Sequence, residues 1–294
     1  MPIPSDISRH REKISDITDR FAIKNFVLQD DSIISPEQSL DESFLFNGFI
    51  FGMCLKGQAT VQINYRDFIL KEGHIFTYMP NQIFKVKERT EDFLIENLFL
   101  SADYVLQLPV SKDFDLLKKI SAEPLQKISS ETQHNMLEFH SLIAKHHRRE
   151  DNPYRESQIK ALIFALLMEI SFTYSSSAAE VPPAVSRQEL LTDDFFRLML
   201  ENYKKERSVA YYADKLCLTP KYLSMTVKKI TGHPISEWIN EAVIIEAKRM
   251  LKATDLTALQ ISEELNFPNP SFFGRFFKQY AGMTPLQYKN NVCL

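Results

Sequence analysis

The stretch ISEELNFPNPSFFGRFFKQYAGMTPLQYK, residues 261 to 289, carries the punctuation of a helix-turn-helix. Ile261 to Leu265 reads as a short helix, and Asn266 follows it as a residue that tolerates the left-handed backbone of a tight turn. Asn269-Pro270 then pairs a capping side chain with a proline at the first helical position, where the missing N–H leaves no bond unmade. Helical spacing cannot put Phe272, Phe273, Phe276 and Phe277 all on the outside, so Phe273 and Phe277 are assigned to the core.

Working outward, ADKLCLTPKYLSMTVKKITGHPISEWI, residues 213 to 239, has the same layout. At an offset of 50, Leu223 answers Phe273, Val227 answers Phe277, Lys228 answers Lys278, Gly232 answers Gly282 and Trp238 answers Tyr288. Before the turn the offset is 49, as in Leu216 with Leu265 and Leu218 with Phe267, so the second turn is one residue longer. In this first copy a helix from Ser208 to about Leu216 has Ala213 at its packing face, and Thr219 caps a helix with Pro220 at its first position. The chain contains an internal duplication.

The paired motif resembles the AraC/XylS family of bacterial transcription regulators over about the last third of the chain. The resemblance rests on Ile261, Phe267, Phe272, Phe273, Arg275, Phe277, Lys278, Gly282, Thr284, Pro285 and Tyr288, and on a linking helix, Ile235 to Leu251, between the copies. Two positions depart from it. Asn266 stands where glycine is usual, and Met225 stands where many members carry arginine, which removes a base or phosphate donor from the first recognition helix.

The resemblance implies an all-α domain in which two recognition helices on a rigid linker enter successive major grooves of double-stranded DNA, which recur about every 34 Å on one face. Spacing from the caps puts Lys221, Ser224, Met225 and Lys228 on the outward face of the first helix and Pro270, Ser271, Gly274, Arg275 and Lys278 on that of the second. The candidate DNA-binding residues are therefore Thr219, Lys221, Ser224, Met225, Lys228, Lys229, Asn269, Ser271, Gly274, Arg275 and Lys278. Arg275 is the candidate base reader, because a guanidinium contacts guanine O6 and N7 bidentately. Lys221, Lys228, Lys229 and Lys278 are candidate phosphate positioners. Any one of these lysines reads equally well as a solvated helix face; the duplicated cap, proline and aromatic pattern argues against that reading for the set.

Upstream, SSSAAEVPPAVSR, residues 175 to 187, is small and polar, and Pro182-Pro183 cannot continue a helix. It marks a domain boundary: residues 1–174 as a sensor and dimerisation domain, 175–187 as a linker, and 188–294 as the DNA-binding domain. Between Pro153 and Tyr174, Ile159, Leu162, Ile163, Leu166, Leu167 and Ile170 form one continuous aliphatic helix face. That stripe either packs on its own domain or forms the contact between two copies of the chain. A further helix start is expected at Ser130. From Phe44 to Leu100, short apolar runs broken at Lys56-Gly57, Tyr65-Arg66-Asp67, Lys71-Glu72-Gly73 and Pro80-Asn81 predict about six antiparallel strands. Gly73 to Asn81 resembles the strand-turn segment of cupin-type β-barrels. The fold class is thus α+β: a cupin-like antiparallel β-barrel with a helical dimerisation segment, then two helix-turn-helix motifs joined by a linker helix.

The chain has 294 residues, 44% hydrophobic and 25% charged, which excludes general disorder. Its net charge of -3 would argue against a phosphate-rich partner if it were evenly spread. It is not: residues 186–294 hold 15 Lys+Arg against 12 Asp+Glu, and residues 1–185 hold 20 against 26. The positive half coincides with the duplication.

Cys54, Cys217 and Cys293 have no CxxC spacing, so a reducing, cytoplasmic setting is expected, with neither disulfides nor a thiolate metal site. The polar start MPIPSDISRHREK reads as no signal peptide, and runs such as Ala161 to Met168 are too short to span a membrane, so no membrane partner is expected.

An enzymatic alternative, a cupin-like metalloenzyme fused to a DNA-binding module, needs two or three histidines and a carboxylate converging inside the barrel. Only His74 falls in the strand region, with Phe84 near where a second ligand would be placed; His134, His140, His146 and His147 fall on the later helical segment. No GxSxG, HExxH, P-loop or dinucleotide fingerprint occurs. No catalytic residue, metal or cofactor is expected. Phe44, Phe46, Phe49, Phe51, Phe68, Phe76, Tyr78 and Phe84 either close the barrel as a core or line an apolar pocket. The expected partners are double-stranded DNA and a second copy of the chain, and the resemblance adds a small effector and RNA polymerase as candidates.

Overall fold

The computed structural model describes residues 26–32, 43–110, 113–149, 151–176 and 186–292. Most of the Ser175 to Arg187 spacer, including Pro182-Pro183, lies outside the described residues, as does Cys293. Among the described residues the first half is α+β with antiparallel sheets and the second is all helix.

The strands are β1 (Phe26–Ser32), β2 (Ser43–Leu45), β3 (Gly48–Lys56), β4 (Gln58–Ile63), β5 (Arg66–Lys71), β6 (His74–Tyr78), β7 (Ile83–Arg89), β8 (Leu94–Ser101) and β9 (Leu125–Lys127). Seven of them, β2 to β8, fill the stretch where six were expected, because β2 and β3 separate at Phe46-Asn47. All pairings are antiparallel, and they form two sheets, ordered β1-β8-β3-β6-β9 and β2-β7-β4-β5. This corrects the expectation of a closed barrel: the ladders divide into two open sheets facing one another.

Strand periodicity explains how the larger sheet is buried on both sides. Ile50, Cys54, Phe76, Tyr78, Ile95 and Phe99 point at the smaller sheet, meeting Ala59, Val61, Ile63, Leu70, Phe84 and Val86. Their alternates Met53, Ile75, Leu98 and Leu100 point at the helices. The aromatic side chains Phe46, Phe76, Tyr78 and Phe84 are therefore core between the sheets, while Phe49 and Phe51 stack on the helical side with ring centroids 6.0 Å apart. Desolvation in this core pushes the Cys54 thiol up to about 11, so it behaves as an inert apolar side chain.

The covering helices are α1 (Ala102–Leu106), α2 (Phe114–Ala122), α3 (Ser130–His147) and α4 (Arg155–Ser176). The expected start at Ser130 is observed, with Ser129 as its cap. The α4 stripe is where one alternative is decided. Ile159, Ile163, Leu166, Leu167 and Ile170 are buried within the chain's own core and Leu162 is partly buried against it. Of the two readings of the stripe, this packing supports the one in which it covers its own domain. The face α4 leaves open carries Ala161, Ala165, Met168 and Phe172, of which Phe172 is 66% exposed. As a whole, α4 is long and apolar enough to cross a membrane, which the short-run reading of the sequence missed; its stripe instead covers the sheet.

The second half comprises α5 (Arg187–Asn202), α6 (Val209–Lys215), α7 (Pro220–Thr231), α8 (Ile235–Ala253), α9 (Ala258–Glu264), α10 (Pro270–Ala281) and α11 (Pro285–Val292). Its core is strung along α8, where Ile235, Trp238, Ile239, Ala242, Val243 and Ala247 are buried against residues of both motifs. With 19 residues, α8 is about 28 Å long.

Candidate nucleic-acid interface

The two motifs repeat each other bond by bond. The Leu218 N–H donates to the Ala213 carbonyl at 2.8 Å, and the Phe267 N–H to that of Ser262 at 2.8 Å. The preceding N–H groups, of Cys217 and Asn266, reach Asp214 and Glu263 at 3.0 and 2.9 Å. Both residues are left-handed, with φ of 55° and 51°. Asn266 was expected to turn the chain this way; Cys217, its counterpart at the same offset, was not singled out. Ala213 and Ser262 are both buried, which lets the helices of each motif approach closely. The turns begin alike, so the extra residue of the second is Pro268.

The recognition helices α7 and α10 also start and stop alike. Thr219 Oγ1 accepts from the Tyr222 N–H at 3.2 Å and Asn269 Oδ1 from the Phe272 N–H at 3.1 Å, each satisfying a donor that the helix leaves open. Gly232 and Gly282 close them at φ of 79° and 75°, their N–H groups donating to the Lys228 and Lys278 carbonyls.

Leu223, Val227, Phe273 and Phe277 face the core and are fully buried. On the opposite face Thr219, Lys221, Met225, Lys228 and Lys229 of the first motif and Asn269, Ser271, Arg275 and Lys278 of the second are exposed, with Ser224 and Gly274 half-buried among them. The structure therefore brings the candidate residues of each helix onto one surface. It adds two side chains there: Tyr222 and Phe272, equivalent across the duplication, are 43% and 49% exposed. Arg275 lies over the Phe272 ring with its guanidinium carbon 4.5 Å from the centroid.

Behind this surface, polar contacts hold the motifs in place. Asn240 on α8 donates to the Tyr280 hydroxyl on α10 at 2.7 Å, and the Trp238 indole donates to Thr231 Oγ1 at 3.0 Å. The loop after α5 staples the second motif: Asn266 Nδ2 donates to the Lys205 carbonyl at 2.8 Å, while Arg207 donates to the Leu265 carbonyl and lies 3.8 Å over the Phe267 ring. Glu246 on α8, 4% exposed, takes Lys204 Nζ at 2.6 Å and two Arg249 nitrogens at 2.8 and 2.9 Å. Burial raises its carboxyl, but the bonds from Arg249 and Lys204 outweigh that and hold it below its ordinary range.

The halves of the chain meet at a seam. Tyr65 Oη donates to Asp193 Oδ1 at 2.6 Å, Arg66 Nη2 donates to Asp193 Oδ2 at 2.7 Å, and Ser43 Oγ donates to Glu241 Oε1 at 2.5 Å. Ile83 is buried in the helical core, and the Tyr65 ring packs 5.1 Å from that of Phe196. Beside these contacts is a cavity of about 340 Å³, walled by Phe46, Asn47 and Asp103 on one side and by Tyr203, Lys204 and Arg249 on the other.

Among the described residues the histidines do not converge. His74 Nδ1 is 3.0 Å from the Lys71 carbonyl, His134 pairs with Glu138, His146 contacts Gln158, and His140 is buried with Nδ1 3.3 Å from Glu96 Oε2. Among the described residues no group of three His, Cys, Asp or Glu side chains could hold a metal ion.

Residues 212–291 match a family model described as a helix-turn-helix domain. The HTH-type transcriptional regulator YisR of Bacillus subtilis is 26% identical over 155 residues, 53% of this chain and 50% of YisR. YobQ, another HTH-type transcriptional regulator of that organism, is 40% identical over 73 residues, 25% of this chain and 30% of YobQ. The chain spans half the length or less of these relatives. A solved structure of ToxT from Vibrio cholerae with bound unsaturated fatty acid is 14% identical, with 90% of this chain and 95% of ToxT covered at a TM-score of 0.44.

The duplicated motif on a shared linker helix, together with this match, defines a DNA-binding domain of the double helix-turn-helix class. Over residues 212–291 the chain carries a helix-turn-helix domain similar to that of HTH-type transcriptional regulators.

Proposed function

We propose that the chain is a sequence-specific transcription regulator that binds double-stranded DNA through α7 and α10. The observation that carries this reading is the duplicated exposed face: two helices with matching caps and stops, each presenting polar and cationic side chains on a surface held by α8. Arg275 is the base reader and Lys221, Lys228, Lys229 and Lys278 position the backbone. Residues 1–174 form a sensor domain whose two-sheet sandwich is an open variant of the cupin-like barrel, 175–187 a linker and 188–294 the DNA-binding domain. The chain works in the cytoplasm, without catalysis, as a homodimer.

The open face of α4 supports the dimer, because Met168 and Phe172 are large apolar side chains left exposed among the described residues. The seam cavity supports control by a small effector: its walls come from both halves, so a bound molecule would favour one arrangement of them over another. RNA polymerase is the further partner through which such a regulator acts.

Selection of bound duplexes from a random pool tests the reading. The full chain should enrich paired sites, and the Met168→Glu, Phe172→Glu variant should run as a monomer in light scattering and enrich single ones. A pool with no enriched sequence, at any salt concentration, would sink DNA recognition; a monomeric wild-type chain that still selects pairs would sink the dimer.

A further inference from the structure

The base-reading faces of α7 and α10 differ in chemistry even though their frames are the same. On α10, Phe272 and Arg275 stand three residues apart on one face and stack on each other at 4.5 Å. On α7 the equivalent pair is Tyr222 and Met225, the latter 62% exposed, and it carries no charge. Large apolar side chains left open at the same position of both copies are not explained by the core, which takes Leu223, Val227, Phe273 and Phe277 instead. In the major groove the apolar feature available to such side chains is the C5-methyl group of thymine, whereas the guanidinium of Arg275 matches guanine O6 and N7.

We infer that Phe272 and Tyr222 are specificity-determining residues that read thymine methyl groups, so that the α10 half-site contains a guanine with a thymine neighbour and the α7 half-site is thymine-rich with no required guanine. This rests on the DNA-binding reading above and names the substrate of that site. The stack does the pairing on α10. A guanidinium that reaches a guanine from its place over this ring brings the ring edge to the adjacent base pair, so the stack favours making the two contacts together. On α7, Tyr222 and Met225 have no donor to match guanine except the tyrosine hydroxyl, and with Lys221, Lys228 and Lys229 beside them taken up by the phosphates, methyl contact sets the tolerated bases.

The test uses the full-length chain and duplexes enriched from the random pool. Replacing the thymine beside the guanine with deoxyuridine removes one methyl and nothing else. Wild type should bind the uridine duplex about fourfold more weakly, the change expected from losing burial of one such group. Phe272→Ser, at an exposed position where the fold is not at stake, should bind both duplexes equally, and Phe272→Met should restore part of the difference. Tyr222→Ser should lose uridine sensitivity in the other half-site only.

Enriched duplexes that bind equally with thymine and deoxyuridine would overturn this inference and leave DNA recognition standing. So would a fourfold loss that persists unchanged in Phe272→Ser, or an α7 half-site that proves guanine-dependent. A pool with no enrichment would overturn both readings together.

Discussion

At the scale of single residues, Arg275 and Glu246 show what exposure and burial each demand. Arg275 is exposed and aimed outward over Phe272, so its removal should leave folding intact. Arg275→Ala should cost about 1–3 kcal/mol of specific binding and relax the preference at one base pair, measured by titration against the selected site and its point variants. Glu246 is the opposite case. Its carboxylate is buried between Lys204 and Arg249, and Glu246→Gln leaves both cations without their partner, a loss of about 3 kcal/mol in urea unfolding at neutral pH. Because the folded state holds this carboxyl below its ordinary range, the stabilisation is full above the unfolded value near pH ~4.3 and is lost as pH falls through the folded one. The variant's deficit should therefore shrink in acid; a deficit independent of pH would remove the ion triad from the account. Neither Glu246 nor Tyr222 could be singled out by spacing. A glutamate on a helix reads as a solvated charge until Lys204, in the turn after α5, is known to reach it, and an aromatic three residues after a cap reads as core until the core is seen to be filled without it.

At the scale of elements, the helix boundaries of the second half were legible because local chemistry dictates them. Thr219-Pro220 and Asn269-Pro270 start helices through their own side chains and rings, and Gly232 and Gly282 stop them by adopting a left-handed backbone that other residues resist. Gly282→Ala meets no neighbouring atom, so its cost is backbone strain alone, about 1 kcal/mol, read as a lower unfolding midpoint with unchanged denaturant slope. Cys217 was legible in principle: the offset of 49 sets it opposite Asn266, and both are left-handed. The α4 stripe was only half legible. Its periodicity announced one apolar face, but a stripe that covers a sheet and a stripe that meets another subunit have the same sequence pattern, and only the position of β3, β6 and β8 decides between them.

At the scale of the whole molecule, the seam makes the two halves more than neighbours on a tether. Ile83, 2% exposed, belongs by sequence to the sheets and by packing to the helical core, and Tyr65, Arg66 and Asp193 clamp the same boundary. Burial opposes the ionised Asp193 carboxylate and raises its proton affinity, and the Tyr65 hydroxyl and Arg66 offset part of that cost. Calorimetry of the wild-type chain should show one coupled unfolding transition; Ile83→Asp, which puts a charge into that core, should separate it into two. Two transitions already present in wild type would mean the seam couples nothing. By itself the sequence determined the duplicated motif, its caps and turns, the opposite charges of the two halves and the outward face of each recognition helix, because all of these depend on residues within one turn or one repeat of each other. The tertiary structure alone decided that the sheets remain open, that the α4 stripe is consumed inside the chain, that Lys204 from the turn after α5 reaches Glu246 on α8, and that a cavity lies between the sheet half and the helical half. Each of these depends on which distant segments meet, and local periodicity carries no information about that.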